Sequence, residues 1–143
     1  VAISSCRDSL NGYQKGRCFY CFAPISLQAG DGTLADVDHF IPWKARGHVA
    51  NIDGVWNLVL ACKECNRGEK GKFAQLPSTR LLQRLRDRNE YFINSHLPLR
   101  ETLIRQTGAT QALRNTFLND SWNEAIKILF HQWEPIAQGT DTF

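Results

Sequence analysis

Four of the five cysteines in this chain fall in two matched pairs, Cys18-Phe-Tyr-Cys21 and Cys62-Lys-Glu-Cys65. Two close-spaced thiol pairs supply what one tetrahedral Zn²⁺ requires, and four sulfurs leave no coordination position open to a substrate. Such an ion is structural and staples the ends of a short, loop-rich segment. Zinc stands ahead of two other readings. Disulfides need a secreted setting that nothing in the sequence offers, and a thioredoxin-like redox motif accounts for one C-x-x-C but not two. Cys6 is left over and reads as an inert small hydrophobe. Between and just beyond the pairs lie Asp38, His39, Asn57 and Asn66. A carboxylate offers a hard oxygen to Mg²⁺, a carboxamide oxygen can complete the same site, and an imidazole can take a proton from water. A closed metal site framing an open one points to metal-dependent hydrolysis of phosphodiesters.

These residues need elements to position them. Thr33 to Phe40 alternates apolar and polar side chains imperfectly and reads as a strand; Trp56 to Ala61 reads as a second, after a polar loop. A helix is expected from Cys62 to about Phe73, ending near Gly71. Strict alternation would send Asp38 and His39 to opposite faces, so they share a site only if the strand breaks at His39, which Pro42 favours. Residues 1–17 read as a lead-in with a turn at Asn11-Gly12, and 18–32 as the first knuckle and a loop. From Pro77 the pattern turns helical. Ser78 is a plausible N-cap for a helix to about His96, with Leu81, Leu82, Leu85 and Phe92 as its apolar stripe. Further helices are expected from Leu99 to Gln106 and from Thr110 to Trp133, the last broken near Asn119-Asp120. The fold class is therefore α+β: a zinc-stapled β-hairpin plus helix over residues 1–76, with an appended helical region over 77–143.

A chain of 143 residues with 43% hydrophobic and 22% charged residues reads as an ordinary globular protein. No apolar run reaches the roughly 18 residues of a membrane span, and no signal peptide is seen. A cytoplasmic setting follows. The chain lacks Met and begins Val1-Ala2-Ile3, as an excised piece of a longer protein would, with room for a further domain N-terminal to it. The net charge of +3 is modest, but residues 60–90 hold eight basic and four acidic residues. That excess suits a polyanion, and equally a solvated helix face. Arg80, Arg84 and Arg88 are spaced as one helical stripe able to track phosphates. Asp36 reads as a surface aspartate ahead of an auxiliary ligand, and Trp43 and Trp56 as packing around the hairpin.

Taken in order, V-D-H-F-I-P, W-N-L-V-L-A-C and C-x-x-C-N-R-G-x-K resemble the HNH endonuclease family, with its ββα-metal (His-Me finger) fold, over about Cys18 to Phe73. Asn66 stands at the third position, the HNN variant. The HNH domain of the CRISPR RNA-guided effectors is similar in its D-x-D-H and N-R-G-K elements but lacks the cysteines. The resemblance implies His39 as general base, Asp38 and Asn66 as ligands of Mg²⁺ or Mn²⁺, and Asn57 as holder of the loop bearing His39. It also implies Cys18, Cys21, Cys62 and Cys65 as zinc ligands, and DNA as the partner, cut to 5′-phosphate and 3′-hydroxyl ends. The chain would then be the nuclease module of a larger prokaryotic or phage protein. Arg67 and Lys70, beside Asn66, are candidate phosphate contacts, with a solvated lysine nearly as good a reading of Lys70. The competing reading is a non-catalytic Cys₄ zinc module that only binds nucleic acid.

Overall fold

The computed structural model describes residues 6–136 and 143. The described residues begin with helix α1 (Arg7–Gln14), followed by the first cysteine knuckle and strand β1 (Asp36–His39). A single 3₁₀ turn at Trp43–Ala45 and another at Val55–Asn57 lead into strand β2 (Leu58–Ala61) and the short helix α2 (Lys63–Arg67). Strand β3 (Leu76–Pro77), helices α3 (Thr79–Asn94), α4 (Arg100–Thr107) and α5 (Gln111–Leu129), and strand β4 (Gln132–Trp133) complete it. This is the α+β class expected, a small antiparallel hairpin with helices and a cysteine cluster. β1 and β2 pair antiparallel with Asp36 opposite Ala61 and His39 opposite Leu58. β3 and β4 form a separate parallel pair. Among the described residues no helix is long and apolar enough to cross a membrane.

One apolar core runs through the molecule. Leu10, Phe19, Phe40, Trp56 and the whole of β2 meet Leu81, Leu85, Phe92, Leu103, Leu118 and Trp122 from the helices. Because β2 is buried at every position, it reads in sequence as a continuous apolar run rather than an alternation.

Several elements differ from the sequence expectation. The lead-in is a helix at Arg7–Gln14. Gly12 in that helix marks a close approach, since a Cβ there would lie 3.3 Å from the Phe92 ring. Gln14 fastens α1 to β2 by exchanging hydrogen bonds with both backbone groups of Leu60. The helix after the second knuckle stops at Arg67, well short of Phe73. A side chain at Gly68 would meet the Glu64 carbonyl at 2.6 Å, and one at Gly71 would meet it at 2.7 Å. The chain doubles back there, and the Phe73 amide reaches the Asn66 carbonyl at 3.0 Å. α3 keeps its Ser78 cap, whose side chain accepts from the Leu81 amide. α5 is unbroken at Asn119 because that carboxamide accepts from Arg86 at 2.7 Å instead of competing for the local backbone.

Candidate active site and metal centre

The two knuckles converge as their spacing requires. The sulfurs of Cys18, Cys21, Cys62 and Cys65 all lie within 4.8 Å of one another. Tetrahedral zinc with Zn–S bonds of ~2.3 Å sets its sulfurs about 3.8 Å apart, and Cys21 and Cys62 stand at 3.7 Å. Backbone amides aim at the sulfurs: Tyr20 and Cys62 donate to Cys18, Ala23 to Cys21 and Cys65 to Cys62. Donors turned toward sulfur favour thiolates, the ligand form. Hydrogen bonds among the four sulfurs lower the Cys62 thiol to about 7, with the bond to Cys18 foremost, and push Cys65 up. The donor set and its spacing fit zinc. The cluster ties the Phe19 loop to the start of α2 and leaves no sulfur for a substrate.

Asp38 and His39, neighbours in β1, have separate partners. Asp38 is buried; its Oδ2 accepts from the Tyr20 hydroxyl at 2.7 Å and lies 3.2 Å from Lys72 Nζ. Lys72 is itself fully buried and also donates to the His39 carbonyl at 2.9 Å. Burial pulls the Lys72 ammonium down from its ordinary range, and the Asp38 charge pushes back. Burial first, then the Asp38 charge, drives the Tyr20 hydroxyl well up, so it stays a donor. His39, the last residue of β1 and still in register with Leu58, turns to Asp53, with Nε2 2.7 Å from the carboxylate. A carboxylate only accepts, so Nε2 carries the hydrogen and a neutral His39 has its lone pair on Nδ1.

Asn57 is fully buried and spends its carboxamide on two stretches of backbone. Its Oδ1 accepts from the Ile41 amide, and its Nδ2 donates to the carbonyls of Ile41 and Ile52. It thereby holds the chain two residues beyond His39. Asn66, in α2, donates to Asp36 Oδ2 at 2.9 Å. Asp36 and Asp38 are alternate residues of one strand and share a face, so that contact brings the Asn66 carboxamide to the side of the hairpin that bears Asp38. Two carboxylates and a carboxamide are hard oxygen donors, which fit Mg²⁺ in type. Asp36 is tied down rather than free: burial raises its carboxyl, and hydrogen bonds from Arg67 and Asn66 outweigh that and leave it below the usual range.

The basic residues are placed differently from the expected phosphate-tracking stripe. Arg88 is fully buried. It lies three residues after Leu85 and four before Phe92, so helical geometry puts it on the apolar face. Its guanidinium donates to the carbonyls of Val55, Trp56 and Leu58 and to Asn89, and burial lowers it to about 10. Arg84 donates to the carbonyls of Phe19 and Tyr20, and Arg80 pairs with Glu134. Arg67 pairs with Asp36. Lys70 is exposed but lies beyond α2, so it shares no helical face with Asn66. Trp56 packs in the core as expected, whereas Trp43 is 51% exposed.

Tyr20, Asp53 and Lys72 belong to the site without a sequence signal that marks them. Tyr20 sits inside the first C-x-x-C and Asp53 in a polar loop, and neither position carries a periodic signal. Lys72 was legible only as one of several basic residues after the second knuckle.

The model of the HNH endonuclease family matches residues 18–72. That segment, from the first knuckle to Lys72, is similar to an HNH endonuclease domain and spans less than half of the chain. No curated protein and no solved structure matches the chain.

Proposed function

We propose that this chain is a metal-dependent DNA endonuclease in which His39 is the general base. The His39–Asp53 pair carries the reading: inside the matched segment, at a strand end, a carboxylate holds Nε2 at 2.7 Å and leaves Nδ1 to accept a proton. Nδ1 takes the proton of the attacking water, and Asp53 stabilises the imidazolium that results. Asn57 fixes the backbone that carries His39. Asp38 and Asn66 would hold Mg²⁺ or Mn²⁺, whose charge would be felt by the phosphate and the leaving 3′-oxygen. The ends produced are a 5′-phosphate and a 3′-hydroxyl. Residues 1–76 carry the chemistry, and 77–143 support it.

Plasmid cleavage with Mg²⁺ or Mn²⁺, with and without EDTA, tests the activity, and His39→Ala tests the base. A positioned base contributes ~10²–10⁴-fold, so the variant should lose cutting by that factor while zinc content, melting and DNA binding persist. Cleavage by His39→Ala at the parental rate would discard the mechanism.

A second reading has one observation in its favour. Asp38 already accepts from Tyr20 and is paired with Lys72, as befits a zinc module that binds nucleic acid without cutting it. DNA binding with no cleavage under either divalent ion would decide for that module.

A further inference from the structure

The loop that follows His39 presents an aromatic ring and cations to solvent from a fastened base. Trp43 is 51% exposed, whereas Trp56, Trp122 and Trp133 are each no more than 6% exposed. The Arg46 guanidinium lies over the Trp43 ring, 3.5 Å from its centroid, and donates to the Trp43 carbonyl at 3.4 Å. Lys44 and His48 are exposed beside them, and no acidic residue occurs from Phe40 to Ile52. Beneath, Ala45, Val49 and Ile52 are buried. Asn57 holds the backbone at Ile41 and Ile52, and the Trp56 indole donates to the Asn51 carbonyl at 2.7 Å. The exposed face is thus a ledge with both ends pinned. The same loop supplies Asp53, the partner of His39. Trp43 is four residues from His39, at most roughly 14 Å along the chain.

We propose that Trp43, Lys44 and Arg46 form a stacking ledge for the substrate strand: an unpaired base lies on the Trp43 ring, and flanking phosphates meet Lys44 and Arg46. The nucleic-acid identity of the ligand rests on the nuclease reading. The chemistry is that of single-strand binding, in which any base offers a π-face to an aromatic ring and cations follow the backbone. The ledge therefore selects an unpaired nucleotide beside the cleaved bond and is indifferent to which base it is.

Binding is measured in EDTA, so that the strand stays intact, by titrating the zinc-loaded protein with oligothymidylate and following tryptophan emission. Three of the four tryptophans are buried, so quenching reports Trp43. Quenching should saturate with the parent. Followed by the anisotropy of a dye-labelled oligothymidylate, because the variants lack the reporter ring, Trp43→Ala should raise Kd roughly tenfold or more, and Trp43→Phe should retain most of the affinity. Lys44→Ala and Arg46→Ala should each flatten the slope of log K against log salt by ~0.7. A blunt duplex should quench less. Parental affinity in Trp43→Ala, unchanged emission at saturation, or equal quenching by the duplex would each overturn the ledge. Adding Mg²⁺ or Mn²⁺ separates the two readings. Binding as described without cutting sinks the nuclease and leaves the ledge; parental cleavage of a single-stranded substrate by Trp43→Ala sinks the ledge and leaves the nuclease.

Discussion

Asp38 is held by two donors that come from distant parts of the chain, Tyr20 in the first knuckle and Lys72 after the second. A buried ammonium tolerates its site only with a counter-charge, and removing one partner of a buried pair typically costs about 3–5 kcal/mol. Asp38→Ala should therefore melt well below the parent, quite apart from any loss of activity. Lys72→Met in the same background should recover most of that stability, because it takes away the stranded charge; calorimetry of the two variants checks this. A double variant no more stable than Asp38→Ala would show that the pair is not what holds the strand. Asp53 presents the opposite case. It is largely exposed, so Asp53→Ala should leave melting unchanged and act through the orientation of His39, lowering the rate about tenfold with DNA affinity intact. Cleavage kinetics and a binding titration on that one variant separate the two effects.

At the level of elements, the C-terminal strand β4 is tied to the start of α3 through Glu134, which accepts from Ser78 and Arg80. Hydrogen bonding to Arg80 foremost holds the Glu134 carboxyl below its usual range. Its unfolded value is about 4.3, so the stability it adds is fully present above that pH and is lost as pH falls through the lower folded value. Glu134→Gln should accordingly show a smaller drop in melting temperature between neutral pH and about pH 3 than the parent does; an identical drop would remove Glu134 from the acid response. These ties also show which elements the sequence could reveal. Ser78 as a cap, the Leu81–Leu85–Phe92 stripe and the C-x-x-C spacings are local signals, and each reappears in the structure. α2 ended early because Gly68 and Gly71 pack against the Glu64 carbonyl, a contact that no propensity encodes. Arg88 has the charge of a surface residue, but its place in the apolar stripe of α3 buries it. The candidate site divides in the same way: His39, Asn57 and Asn66 stood in a recognisable order, while Tyr20, Lys72 and Asp53 gained partners only through folding.

For the whole molecule, the cysteine cluster and helix α3 both brace the hairpin. Cys62→Ser should lose zinc and unfold or aggregate, since a structural zinc site contributes folding energy outright. Metal analysis should find one equivalent in the parent, and Cys6→Ser should match it. A zinc-free Cys62→Ser protein with parental melting would refute the staple. The other brace is Arg88, whose guanidinium reaches from α3 to the carbonyls of Val55, Trp56 and Leu58, on either side of Asn57. That grip bears on portability. A cassette cut to residues 18–72 for transplantation into another protein would leave those carbonyls without their donor and Asn57 without its frame. It would carry every motif residue and still fail as a working part. The smallest transferable unit of this fold includes α3, well beyond the last residue of the matched segment.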